Sequence, residues 1–296
     1  MTENDMLAHL EQLAVWRRRG ERAPHKPLLI LLALGRFSRG QTSIPFQEVE
    51  AELAELLREF GPHRTSVHPE YPFWRLQRDG LWEVRTERAL ALRTSNSDPT
   101  IRSLRSSGAI GHFPAPIQRA LSNRPQLVSD VAQLLLERHF PDSIHGDILA
   151  ATGLTLATRF AKRRPRDPGF RSAVLRAYEF RCAVCGFDLR IGNRSTALEA
   201  AHIRWHQVGG ADDVTNGLAL CSLHHKLLDL GAFTIDDDHH LLVSDEAHGG
   251  DLCHHVLLRH NGQPISQPVH TEQLPNLANV KWHRSEVFRG RPRPVS

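Results

Sequence analysis

Four residues of this 296-residue chain have the types and spacing to hold one metal ion. Cys182-Ala183-Val184-Cys185 and Cys221-Ser222-Leu223-His224 each offer two donors separated by two residues. A tight knuckle turns such a pair to one side, and two pairs make a tetrahedral Cys3His set for Zn2+. Four protein ligands close the coordination shell, so the expected zinc is structural and staples a small domain. The alternative is buried thiols or a disulfide, and the paired C-x2-C and C-x2-H spacing favours the metal. A second group is interleaved with the first. Leu198–Asp229 reads LEAAHIRWHQVGGADDVTNGLALCSLHHKLLD and carries His202, Asn216 and His225 in that order. A neutral His has a reference pKa of about 6.5, so near neutral pH it can take a proton from water. A divalent cation neutralises a phosphodiester and the charge growing on its leaving oxygen. An Asn can hold a His or a water in line without adding charge. These side chains could cut a phosphodiester.

The elements that must position them are legible nearby. Leu198–Trp205 reads as a strand running into a turn at Gly209-Gly210. Asn216-Gly217 is a turn signal, followed by apolar Leu218, Ala219 and Leu220. Cys221–Leu230 has the spacing of a short helix, with Leu223, Leu227 and Leu230 on one face and Gly231 ending it. Ala232–Ile235 then looks extended. Strand, loop and helix around a zinc resemble the HNH endonuclease family and its ββα-metal fold. That resemblance implies that His202 is the general base, Asn216 the orienting amide and His225 a ligand of the catalytic metal, Mg2+ or Mn2+. His224 goes to the zinc instead. Neighbouring helix residues point about 100° apart, so His224 and His225 can serve different metals. Asp229, one turn beyond His225, is placed to orient its imidazole. Many family members carry a metal-binding Asp just before the first His, where this chain has Ala201. Some branches read E-A-A-H-I as here, with Glu199 the nearest carboxylate. The segment Leu257–Phe288, with Gly262-Gln263-Pro264-Ile265 and Trp282-His283, resembles the tail of restriction-type members and is assigned to the same domain. The pairs His239-His240 and His254-His255 read as surface residues.

Composition bounds the rest. Apolar content of 40% and charged content of 24% are ordinary for a globular protein of about two domains. A net charge of +4 suits an anionic partner. Of the four Cys, three sit in the clamp, and Cys253 reads as a small buried hydrophobe. Met1–Leu10 carries acids and no apolar run, and no stretch approaches the ~20 apolar residues of a membrane span. The expectation is a cytoplasmic, reducing location with no membrane partner. Arg159, Lys162, Arg163, Arg164 and Arg166 form a basic run before Pro168-Gly169. It reads as a linker at 161–169, solvated or lying along a phosphate backbone. Phe170, Val174, Ala177 and Tyr178 then recur at helical spacing.

The N-terminal part reads as a domain of its own. Met6–Arg19 fits an amphipathic helix. Pro27 suits the first turn of Leu28–Phe37, which is apolar on all sides and therefore central. Phe46, Val49, Leu53, Leu56 and Phe60 mark a third helix. Phe73–Leu76 and Leu81–Val84 flank Asp79-Gly80, which predicts a hairpin with a type I′ turn. Pro114–Leu121, Gln126–His139 and Ser143–Ala151 supply further helices. Helices with a hairpin predict a winged-helix-like reader. Ala23-Pro24-His25-Lys26-Pro27-Leu28-Leu29 and Tyr71-Pro72-Phe73-Trp74 resemble the sulfur-binding domain of phosphorothioate-dependent restriction endonucleases. That family joins such a domain to a C-terminal HNH domain, the order found here. The resemblance implies a sulfur pocket at His25, Lys26, Tyr71 and Pro72. An apolar surface of Tyr and Pro rings favours a soft, poorly hydrated sulfur over oxygen, while His25 and Lys26 meet the remaining charge. Members often have Arg where Lys26 stands, and a small residue near Arg75. Base readout is expected from other Arg, at 75, 78 or within Ile101–Arg105.

The expected protein is α+β. A helical domain with a β-hairpin at 1–160 recognises modified DNA, and a zinc-stapled ββα-metal HNH domain at 170–296 hydrolyses it. The expected partner is double-stranded DNA bearing phosphorothioate. A homodimer, or two independent nicks, would cut both strands. The rival readings are an HNH nuclease acting on methylated or unmodified DNA, and a zinc-stabilised DNA-binding protein that does not cut.

Overall fold

Leu28 to Gly35 are buried without exception, so the helix they form lies inside the N-terminal unit rather than on it. The computed structural model describes residues 24–93, 98–156 and 168–295. The helix expected at Met6–Arg19 and the basic run at Arg159–Arg166 lie outside the described residues, as does most of the expected linker. The chain divides into two compact units, Met1–Arg159 and Phe160–Ser296. Among the described residues no helix is long and apolar enough to cross a membrane.

In the first unit α1 (His25–Ser38) is the hub. Around it pack α2 (Phe46–Phe60), α3 (Glu70–Arg75), α6 (Gln126–His139) and α7 (His145–Thr152). A Cβ on Gly35 would meet the Thr152 carbonyl oxygen at 2.0 Å, so glycine is what lets α7 approach α1 this closely. α2 buries Phe46, Val49, Leu53, Leu56, Leu57 and Phe60, the stripe its 3-4 spacing dictates. The strands are short. β1 (Ile44–Pro45), β2 (Glu83–Arg85) and β3 (Ile110–His112) form an antiparallel sheet in the order β1-β3-β2. α4 (Ile101–Ser106) stands between β2 and β3, and α5 (Ala115–Asn123) follows them.

The expected hairpin at 73–84 does not form. Phe73 and Leu76 are both fully buried, and three-residue spacing puts them on one helix face where a strand would separate them. The segment is therefore α3 continued by a 3-10 turn at Leu76–Asp79. Gly80, at φ +69°, caps that turn with a single left-handed residue, whereas type I′ needs two. β2 pairs with β3 instead, and Trp82 packs edge-on between Phe73 and Phe113.

The second unit begins with α8 (Pro168–Ala177). A cysteine knuckle follows, then a small exposed hairpin, β4 (Arg190–Ile191) and β5 (Arg194–Ser195). Next comes the antiparallel pair β6 (Leu198–His202) and β7 (Gly217–Cys221), leading directly into α9 (Ser222–Asp229). β8 (Phe233–Ile235) and β9 (Leu241–Val243) form a further hairpin, with α10 (Asp251–Val256) and α11 (Leu277–Glu286) completing the unit. α8 packs on β6 and β7 from one element, α9 from another. Phe170, Val174, Leu198, Leu218, Leu220, Leu228, Phe233 and Val280 belong to one continuous core. The expected apolar face of α9 is corrected here. Leu223 is 49% exposed, and His224, His225, Leu228 and Asp229 are the residues turned inward. Two histidines and an aspartate thus take most of the inner face of this helix.

Candidate functional site

The cysteine knuckle is shaped by backbone bonds. Cys182 N–H donates to Phe187 O at 2.9 Å, Gly186 N–H to Cys182 O at 2.9 Å, and Gly186 turns the chain at φ +73°. Cys221 ends β7, and His224 lies in the first turn of α9. The donor atoms of Cys182, Cys185, Cys221 and His224 lie within 4.8 Å of one another, and all four cysteines are free. His224 Nδ1 is 3.2 Å from Cys221 Sγ and 3.6 Å from Cys182 Sγ, while its Nε2 donates to Val256 O at 2.8 Å. That outer bond fixes the tautomer and leaves the Nδ1 lone pair for a metal. The neighbouring thiols of Cys185 and Cys221 donate to Cys182 and pull its pKa down to about 3. A thiolate is the form that binds a metal. The Cys3His cluster thus fits one metal ion.

His225 faces the other way on the same turn. Its Nδ1 is 2.6 Å from Glu199 Oε2 and its Nε2 is 3.2 Å from Asp229 Oδ2. Glu199 comes from β6, opposite Leu220, and its other oxygen accepts from Ser222 Oγ at 2.8 Å. Burial works to lower the His225 pKa, but Asp229 and Glu199 outweigh it and push the pKa up to about 9. Asp229 is buried, while the Glu199 side chain is 43% exposed. Glu199 therefore marks the open side of the ring and Asp229 the closed side. Glu199 and His225 Nδ1 are the groups on the open side that could hold a cation, while Asp229 lies at Nε2.

His202 ends β6. Its ring stacks on Phe170 of α8, with centroids 4.2 Å apart, and its Nε2 is 2.7 Å from Asp212 Oδ1. Gly217, opposite His202 in the register, is extended at φ −122°, so its role is space and not a turn. A Cβ there would sit 2.4 Å from Val174 Cγ2 and 3.2 Å from the Phe170 ring. Asn216 is fully buried and braces the loop after β6. Its Oδ1 accepts from Arg204 N at 2.9 Å, and its Nδ2 donates to Arg204 O at 3.0 Å and Ala211 O at 2.9 Å. The structure thus ties Asn216 to the loop backbone, His202 to Asp212 and His225 to Glu199. Sequence reasoning missed Asp212 altogether, because a carboxylate in a loop carries no spacing signal. It noticed Glu199 and gave it no role.

In the first unit His25 and Lys26 open α1, and Tyr71 and Pro72 lie in α3, which packs on α1. Lys26 Nζ is 2.6 Å from Asp79 Oδ2. Pro72 is buried. The Tyr71 ring stacks with His68 at 4.7 Å, lies 4.2 Å from the Arg75 guanidinium carbon and takes a bond from Arg93 Nη1 to its hydroxyl at 2.7 Å. Buried Glu70 binds Arg93 at 3.0 Å and His68 at 3.1 Å. Arg75 is held by buried Asp98, Nε to Oδ2 at 3.0 Å. Arg105, one of the expected base readers, is bound to Glu50 at 2.8 Å, whereas Arg102 is exposed.

Residues 3–157, just over half of the chain, match the family model of the ScoMcrA-like DNA sulfur-binding domain, and residues 182–236 match that of an HNH endonuclease. Among solved structures, the chain is similar to the sulfur binding domain of ScoMcrA complexed with phosphorothioated DNA. That match has 25% identity and a TM-score of 0.43, and covers 50% of this chain and 94% of that one. The sulfur binding domain of SprMcrA in the same kind of complex matches at 24% identity and a TM-score of 0.44, over 52% and 95%. The type IV phosphorothioation-dependent restriction endonuclease ScoMcrA matches at 27% identity and a TM-score of 0.43. There the overlap is 49% of this chain but only 28% of that one. No curated protein matched the chain. The chain belongs to the family of the ScoMcrA-like DNA sulfur-binding domain and carries an HNH endonuclease domain after it.

Proposed function

We propose that this protein is a modification-dependent restriction endonuclease that binds phosphorothioated double-stranded DNA and hydrolyses phosphodiesters near the mark. The observation that carries the reading is the pairing, in one chain, of a sulfur-binding domain at 3–157 with an HNH domain at 182–236. The HNH domain also presents a His, a His–carboxylate pair and a Cys3His cluster together.

In this reading Zn2+ occupies Cys182, Cys185, Cys221 and His224 and staples the knuckle to α9. His225, with Glu199 beside it, holds the catalytic cation, Mg2+ or Mn2+. When bound, that cation neutralises the phosphate and the charge on the leaving oxygen. His202 takes the proton from the attacking water, and the π-face of Phe170 keeps the imidazole in one plane. Asn216 acts at one remove, by fixing the loop that follows His202. In the first unit Tyr71 and Pro72 present ring surface to sulfur, and His25 and Lys26 meet the phosphate charge. The element order α1-β1-α2-α3-β2-α4-β3 with sheet order β1-β3-β2 supports a winged-helix-like reader despite the lost hairpin. Cutting both strands takes either two HNH centres, in a homodimer, or two independent nicks.

The test is nicking of a phosphorothioated plasmid with Mn²⁺ or Mg²⁺ by the wild type, His202→Ala and His225→Ala. Loss of at least 100-fold in rate in each variant, with zinc content unchanged, is expected for a general base and a metal ligand. Wild-type rates in both would sink the assignment of the centre.

A further inference from the structure

The loop between β6 and β7 brings a carboxylate to the ring of His202, and its construction is specific. Trp205 O accepts from Val208 N at 3.1 Å and Gly210 N at 3.0 Å, and His206 O accepts from Gly209 N at 3.0 Å. The side chain of Asn216 fills the loop and bonds the backbone at both Arg204 and Ala211. Gly210 leaves no room for anything else. A Cβ there would lie 1.9 Å from Arg204 O and 2.9 Å from Asn216 Nδ2. The next residue after the Ala211 anchor is Asp212, whose Oδ1 lies 2.7 Å from His202 Nε2. Its neighbour Asp213 is engaged elsewhere, accepting from Thr215 N and Oγ1, each at 2.8 Å. The loop thus spends one carboxylate on its own cap and directs the other at the imidazole.

We propose that Asp212 is a positioning residue for His202, holding the ring in the tautomer that can accept a proton. It rests on the reading of His202 as the general base. With Nε2–H donated to the carboxylate, the basic lone pair belongs to Nδ1. The proton leaving water then goes to Nδ1, the hydroxide oxygen forms the new bond to phosphorus, and the bond to the leaving oxygen breaks. The Asp212 carboxylate stabilises the imidazolium, as a carboxylate behind a catalytic His does. Other groups also pack near the ring. α8 contributes the apolar face of Phe170, β7 contributes Gly217, and the turn after β6 contributes His206, whose ring centroid is 6.0 Å away. Arg171 of α8 is committed to Leu198 O at 2.8 Å. Asn216 therefore reaches His202 through Asp212, which explains how a fully buried amide bonded only to backbone can matter to the base.

The experiment compares wild type, Asp212→Asn, Asp212→Ala and His202→Ala as full chains, each checked for zinc content and for its circular dichroism. Single-turnover cleavage of phosphorothioated duplex is followed against pH at saturating Mn²⁺. Asp212→Asn is expected to lose roughly 10- to 100-fold in rate with KM little changed, and its rising pH limb should move toward acid. Nitrogen NMR of the wild-type ring should show the Nε2-protonated tautomer. Wild-type rate and profile in Asp212→Asn, with His202→Ala inactive, would overturn the role of Asp212 and leave the base intact. A rate loss restored by raising Mn²⁺, with the limb unmoved, would make Asp212 a metal ligand and overturn the proposal too. Full activity in His202→Ala would instead remove the underlying reading.

Discussion

Asp229 and Glu199 together hold a proton on His225. In the folded chain His225 keeps its proton up to about pH 9, against an ordinary value of 6.5. The folded state thus binds this proton more tightly than the unfolded state does. Its stabilisation is whole below 6.5 and is lost as pH rises through 9, and is on the order of 3 kcal/mol. Without a divalent catalytic cation, the wild type should therefore lose its advantage over His225→Asn across that window. Denaturant midpoints taken at intervals between pH 6 and 10 would show this, and a constant difference would contradict the charged His225. In the other unit, Arg75 lies 4.2 Å over the Tyr71 ring on its Asp98 anchor. In the proposed pocket this guanidinium covers the ring surface assigned to sulfur, while it can bind a phosphate oxygen of plain DNA as well. Arg75→Ala should raise the ratio of affinities for sulfur-bearing over plain duplex by roughly tenfold, about 1.4 kcal/mol. A ratio that stays put, or falls, would assign Arg75 to general DNA binding.

At the scale of elements, the Cys3His cluster takes a place on α9 that apolar side chains would otherwise fill. α9 is only eight residues long, and its inward face is His224, His225, Leu228 and Asp229. So short a helix is marginal alone and needs tertiary anchors. Removing zinc by chelation, or replacing Cys221 with Ser, should unfold the second unit while the first keeps its own melting transition. Calorimetry checks this directly, and a second transition indifferent to chelator would contradict a structural metal. The same helix shows what sequence can and cannot disclose. Ligand spacing at Cys182, Cys185, Cys221 and His224 was legible because coordination geometry leaves its mark as residue intervals. α1 was legible from Pro27 followed by a run apolar on all sides, and α2 from apolar periodicity. The face of α9 was not, because His224, His225 and Asp229 join Leu228 on its buried side and Leu223 turns outward. The 73–84 hairpin failed for a related reason. Phe73, Leu76, Leu81 and Trp82 are all buried. Local turn chemistry at Asp79-Gly80 could not reveal that the surrounding core takes Phe73 and Leu76 from one helix face. Asp212 and Glu199 act across loops and strands, through contacts no interval in the sequence records.

At the scale of the whole molecule, two independently packed units join recognition of a backbone mark to an HNH centre. A net charge of +4 favours general attraction to DNA, which salt weakens, and the proposed function assigns selectivity to the first unit. The most direct measurement is cleavage of two duplexes of identical sequence, one with a stereodefined backbone phosphorothioate and one without, at matched salt and Mn²⁺. Cutting confined to the sulfur-bearing duplex, and abolished by His202→Ala, is the predicted result. Equal cutting of both duplexes would contradict sulfur recognition, and cutting of neither, with binding intact, would contradict the nuclease.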